Sequence, residues 1–128
     1  MGFTQKEGID FFQTFAGVML AKTFRTLLVI WNSDPTYEME HWDVRMAFTN
    51  APVEEELYMY QPEGWEKEEK TKYACKLLKS LYGLKQSARN WGILLRDIIC
   101  DSSFTAFYSD PCMFFRVEQK KKCRKNFS

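Results

Sequence analysis

The sequence predicts an α+β fold, and three observations carry that expectation. Apolar residues recur at helical spacing in two separate stretches, 18–33 and 87–101. Between them, two apolar runs that alternate with polar residues flank a charged segment, the pattern of a hairpin. Beyond the second helical stretch, Ser109-Asp110-Pro111 turns the chain into a last apolar run. Helices grouped apart from hairpin strands belong to α+β architecture, because a parallel α/β sheet needs a strand and a helix in strict alternation. At 128 residues, 45% hydrophobic and 16% aromatic, the chain is sized for one small domain with a modest core.

Taken in order, residues 1–17 mix Gly, Thr, Asp and Phe without period and predict an extended lead-in. From Val18 to Ser33, Leu20, Phe24, Leu27, Leu28 and Trp31 fall on one helical face, and Asn32-Ser33-Asp34-Pro35 stops the helix. Residues 37–44 read as a strand, with Asp43 near its end. Asn50-Ala51-Pro52 is a turn. Val53, Leu57 and Met59 predict a strand that ends at Pro62, Glu63–Lys72 a charged loop, and Tyr73–Leu78 the returning strand. After Gly83 helical signals resume: Trp91, Leu94, Leu95, Ile98 and Ile99 form the apolar face of a helix over 87–101. Cys112–Val117 is the last expected strand.

Charge and cysteine content set bounds on function. The net charge of +1 does not by itself announce a nucleic-acid binder, but Lys120, Lys121, Lys122, Arg124 and Lys125 crowd the last stretch without an acid among them. Such a tail either grips phosphate or is a solvated, frayed terminus. Cys75, Cys100, Cys112 and Cys123 form no Cys-x-x-Cys pair, and His41 is the single histidine, so a structural zinc site is not expected. With no signal peptide in view, four reduced thiols are expected. The longest apolar run, Leu27–Trp31, is far too short to span a bilayer.

Three stretches carry candidate chemistry. Asp43 stands in "HWDVRMAF", an apolar and aromatic setting where an ionised carboxylate is costly to bury unless paired or metal-bound. A strand-end aspartate opening on a cleft suits Mg²⁺, which takes hard oxygen ligands. The alternative is an ordinary surface or turn aspartate. In "KSLYGLKQSARNW", Lys79, Lys85 and Arg89 surround a Gly turn with Tyr82 and Gln86 between them. A helix starting beyond Gly83 would turn free N–H groups toward an anion, with Lys85 and Arg89 on one face. The alternative is a plain Gly turn before a basic solvent face. Glu54-Glu55-Glu56 points three acids in different directions and reads as a solvated edge.

The blocks "TQKEGIDFFQTFAGV", "WDVRMAFTNAPVEEELYMYQPEGW", "CKLLKSLYGLKQSARNW" and "SDPCMFF" together resemble copia-type retrotransposon reverse transcriptases, in order and spacing, from Gly2 to about Val117. The resemblance implies the fingers and partial palm of a polymerase domain over 1–117, followed by a basic tail at 118–128. It implies an RNA-directed DNA polymerase using a template-primer, deoxynucleoside triphosphates and Mg²⁺, with no membrane partner and an intracellular address in cytoplasm or nucleus. By the same resemblance Asp43 is the first catalytic aspartate and metal ligand. Val44 offers a backbone contact near the triphosphate, and Phe48 is the aromatic gate that excludes a ribose 2′-OH. Tyr82, Gly83, Lys85 and Gln86 lie along the nucleotide and template, with Lys79 and Arg89 as nucleic-acid contacts.

The family's partner for Asp43 is a Tyr-x-Asp-Asp hairpin, and these 128 residues contain no Asp-Asp pair. Two of three metal carboxylates, and the thumb, are expected to be missing. Gly17, Ala51-Pro52 and Ser87-Ala88 also depart from the residues usual in the family, in turn chemistry rather than metal chemistry. The expectation is therefore a truncated reverse-transcriptase domain that does not polymerise alone. A non-enzymatic nucleic-acid-binding remnant, a pseudogene product and a reading frame that continues downstream remain as alternatives.

Overall fold

The computed structural model describes residues 2–66 and 73–117. Residues 67–72 of the expected charged loop, and the basic tail at 118–128, lie outside the described residues. Helix and strand are mixed as the sequence predicts. Helix α1 spans Ala21–Ser33, α2 Ala47–Asn50 and α3 Ser87–Asp101. The strands are β1 Tyr58–Met59, β2 Cys75–Lys76, β3 Thr105–Phe107 and β4 Asp110–Phe115.

Helix α1 starts three residues later than its apolar spacing predicts. Leu20 is extended and contributes no side-chain cap. The missing cap comes from 90 residues away: the Asp110 carboxylate accepts the Leu20 N–H at 2.9 Å and the Thr23 side chain donates to it as well. A carboxylate at a helix N-terminus takes up orphan donors and meets the positive end of the helix dipole. At the far end Asp34 is extended. Its Oδ1 accepts the Thr36 N–H at 2.9 Å and the Thr36 hydroxyl at 2.7 Å, a local turn that competes with further helix. These bonds hold the Asp34 carboxyl below its ordinary pKa, the Thr36 N–H contributing most.

The strand expected over 37–44 does not form. Every residue there is exposed, and the tryptophans nearby bond locally: Trp31 Nε1 donates to the Tyr37 carbonyl at 3.1 Å and Trp42 Nε1 to Glu40 at 2.8 Å. A strand needs a neighbour for its backbone groups, and none of the described strands lies alongside.

The hairpin over 53–78 does form, with an irregularity the alternation of its residues does not reveal. Tyr58 pairs with Lys76 and Met59 with Cys75, antiparallel. Pro52 bridges Lys79 further along. Tyr58 lies six positions after Pro52, but Lys79 only three after Lys76. The difference is absorbed by Glu54-Glu55-Glu56, which bulge out of the ladder while the Val53 N–H donates to the Leu78 carbonyl and the Leu77 N–H to the Leu57 carbonyl. Glu56 then turns to Lys76 Nζ at 2.6 Å and accepts the Tyr58 hydroxyl at 2.8 Å. The Lys76 bond, first, lowers the Glu56 pKa.

Helix α3 occupies the expected span. The last strand, expected at 112–117, instead starts at Asp110. A two-residue turn, Tyr108-Ser109, joins it to β3, a strand with no signal in the sequence reading. Among the described residues there are two sheets of two strands each. Phe11, Ala51 and Leu57 are the buried apolar side chains among the described residues, alongside buried Ser80, Gln86, Ser87, Asn90 and Asp110. Apart from Asp110, which sits at the start of α1, they gather where α2, the hairpin and the start of α3 meet.

Candidate functional site

The lead-in at the N-terminus is not simply extended. Gly2–Thr4 form one 3₁₀ turn. The Lys6 N–H then donates to Asp10 Oδ2 at 2.7 Å and the Gly8 N–H to the Phe11 carbonyl at 2.9 Å, closing a tight loop. This loop lies against the turn at 82–86. Gly83 adopts φ +94°, a left-handed conformation that glycine enters without steric cost. Its carbonyl stands so close to Gly2 that a Cβ on Gly2 would collide with the oxygen.

Gln86 is fully buried. Its Oε1 accepts from Gln5 Nε2 at 3.0 Å, and its Nε2 donates to the Asp10 carbonyl at 2.9 Å, with Glu55 Oε2 at 3.5 Å. The other end of the Gln5 amide accepts the Lys85 N–H at 2.9 Å. Lys85 itself is exposed and sets its Nζ 5.0 Å from the centre of the Phe11 ring, a cation–π contact. Lys85 therefore precedes α3 rather than sharing a helix face with Arg89, and its N–H is already donated within the chain. The Ser87 N–H likewise reaches the Leu84 carbonyl. Below the turn, Ser87 Oγ donates to the Leu81 carbonyl at 2.6 Å and Asn90 Nδ2 to Ser80 Oγ at 3.2 Å, so the buried polar groups are satisfied.

Asp43 and Val44 sit in irregular backbone and face solvent. Two residues later Met46 takes φ 52°, left-handed for a side chain that disfavours it, and the chain folds into the single turn of α2. That reversal brings Phe48 onto Tyr82, ring centres 4.7 Å apart and tilted by 46°. Lys79 Nζ ties the same region down by donating to the Asn50 carbonyl at 2.9 Å. Phe48, Tyr82 and Lys79 thus converge, with Lys85 and Gln86 on the adjoining turn. Arg89 points elsewhere: it is half-buried in an open cleft of about 440 Å³ that it shares with Ile9, Phe12, Gln13 and the three bulged glutamates.

Among the described residues the carboxylates do not gather as a metal pair would need. Among the described residues no three His, Cys, Asp or Glu side chains converge in a way that could hold an ion. Asp110, the buried later aspartate, is engaged by α1, and the Thr23 hydroxyl, then the Leu20 N–H, hold its carboxyl below the ordinary value. Sequence reasoning misses Gln5, Asp10 and Phe11, and reads Asp110 only as part of a turn. Their contacts with the 82–86 turn and with α1 are long-range, so no local spacing marks them.

Residues 1–123 match the family described as reverse transcriptase (RNA-dependent DNA polymerase). The chain is 44% identical, over 90% of its length, to the retrovirus-related Pol polyprotein from transposon TNT 1-94 of Nicotiana tabacum. It is 34% and 33% identical, over 88% of its length, to those from transposons RE1 and RE2 of Arabidopsis thaliana. It spans 9%, 8% and 8% of those three relatives. No solved structure matches it.

Proposed function

Because the chain belongs to the reverse transcriptase (RNA-dependent DNA polymerase) family, we propose that it supplies the fingers and first part of the palm of such a domain over 1–117, the basic tail at 118–128 following it. In this reading the 43–48 segment and the 82–86 turn are two walls of one deoxynucleotide pocket. The observation that carries it is the ring contact between Phe48 and Tyr82, which joins segments that are far apart in sequence and that the family resemblance assigns to the same substrate. Phe48 would gate against a ribose 2′-OH, Val44 would approach the triphosphate through its backbone, and Lys79 and Lys85 would meet phosphate. Gln86, being buried, would act by bracing the turn.

Divalent-metal dependence comes with the family, and Mg²⁺ is the proposed ion. Two-metal phosphoryl transfer requires several carboxylates at one point, and Asp43 stands without that company among the described residues. The 128-residue chain by itself is therefore a binder of template-primer and nucleotide, without synthesis. Incubated with a primed template, Mg²⁺ and deoxynucleotides, it incorporates nothing above background. Incorporation that disappears in Asp43→Asn overturns this. Its affinity for an RNA–DNA duplex falls steeply with salt, and Lys85→Ala lowers the slope of log K against log salt by about 1. A salt-independent affinity contradicts the binding role.

A further inference from the structure

We propose that Gln5 is a positioning residue for the 82–86 turn, fixing the Lys85 peptide and the Gln86 side chain with the two ends of one carboxamide. The inference rests on the reading of that turn as nucleotide-facing. Gln5 Oε1 accepts the Lys85 N–H at 2.9 Å while its Nε2 donates to Gln86 Oε1 at 3.0 Å. Neither amide can be reversed. Turning Gln5 over sets its NH₂ against the Lys85 N–H. Turning Gln86 over sets its oxygen against the Asp10 carbonyl, which now accepts from Nε2 at 2.9 Å. Gln86 is fully buried, so water offers no substitute partner.

Two neighbours on the same strap reinforce the arrangement: Gly2 lies against the Gly83 carbonyl, and the Phe11 ring lies under the Lys85 ammonium. Gln5 is thereby the hinge pin of a strap that grips the turn 80 residues further on. The direction in which Lys85 leaves the backbone, toward the phosphates of the proposed ligand, depends on it.

The test uses the full chain, inorganic tripolyphosphate as probe and amide hydrogen exchange as a second readout. Gln5→Leu raises exchange at the Lys85 N–H at least tenfold and weakens tripolyphosphate binding at least threefold, with α3 amides unchanged. Gln5→Glu weakens binding near neutral pH, where its carboxylate opposes Gln86 Oε1. Relative to wild type it recovers on acidification, because a protonated carboxyl again offers one donor and one acceptor. With α3 amides protected as in wild type at both pH values, that profile is local to the turn and not a loss of fold. If Gln5→Leu fails to fold, the Gln5→Glu profile decides: recovery supports the role and a flat ratio overturns it. Wild-type exchange and affinity in Gln5→Leu also overturn it, provided Lys85→Ala does weaken binding. If Lys85→Ala leaves binding unchanged, it is the nucleotide-facing reading that fails, and the positioning role falls with it.

Discussion

Asp110 is nearly inaccessible, 1% exposed, yet it carries a charge that three donors support: the Thr23 hydroxyl and the Leu20 and Cys112 N–H groups. Its pKa is lower in the folded chain than the ordinary 3.8. A carboxyl shifted this way stabilises the fold above the unfolded value, and that contribution drains away as pH falls through the folded one. Asp110→Asn accordingly lowers the melting temperature at pH 6, and the gap to wild type narrows once pH drops below 3.8. Circular dichroism melts of the two proteins across that range check it; a gap that widens in acid contradicts the assignment. In the sequence, Ser109-Asp110-Pro111 reads only as a turn, because the helix it caps is 90 residues upstream. Gln86 was singled out for its chemistry, whereas its burial depends on Gln5 and Asp10, partners no spacing rule reaches. The family resemblance singles out Phe48 and Tyr82 separately; their contact depends on the left-handed turn at Met46, a conformation its residue type does not signal.

Among the elements, α3 is where local information sufficed: a full apolar stripe and a Gly turn ahead of it define its span. Helix α1 lost its first turn since the positions before Ala21 lack a cap of their own. The 37–44 stretch has strand-like composition but no partner among the described strands, and pairing rather than propensity decides such a segment. The hairpin was legible in outline and not in register. Its anchor is Leu57, 6% exposed and next to the bulge. Leu57→Ala removes one of few buried apolar side chains and costs about 2–3 kcal/mol. Urea unfolding reads this as a lower midpoint, and an unchanged midpoint excludes Leu57 as an anchor.

At the scale of the molecule, apolar burial is sparse among the described residues. Helix α1 buries no residue, while Trp42 is 82% exposed and Trp65 84%. So many exposed large apolar side chains favour contact with another surface or a tendency to associate. Strands with an open edge add to that tendency. The isolated chain is expected to bind a hydrophobic dye such as ANS and to sediment faster as its concentration rises. A single, concentration-independent monomer without dye binding contradicts the expectation. None of the described helices is long and apolar enough to cross a membrane.

The three glutamates that loop out between Val53 and Leu57 have one more consequence. Because the pairing on either side is set independently, at Pro52 with Lys79 and at Tyr58 with Lys76, length can vary there without shearing the ladder. Losing a glutamate, or gaining one, would shrink or swell a lobe at the rim of the Arg89 cleft and leave every other side chain of the hairpin on its original face. In a strand that tolerates no slippage elsewhere, this lobe can change length with the register kept, at the cost of the Lys76 and Tyr58 bonds where Glu56 is the residue displaced.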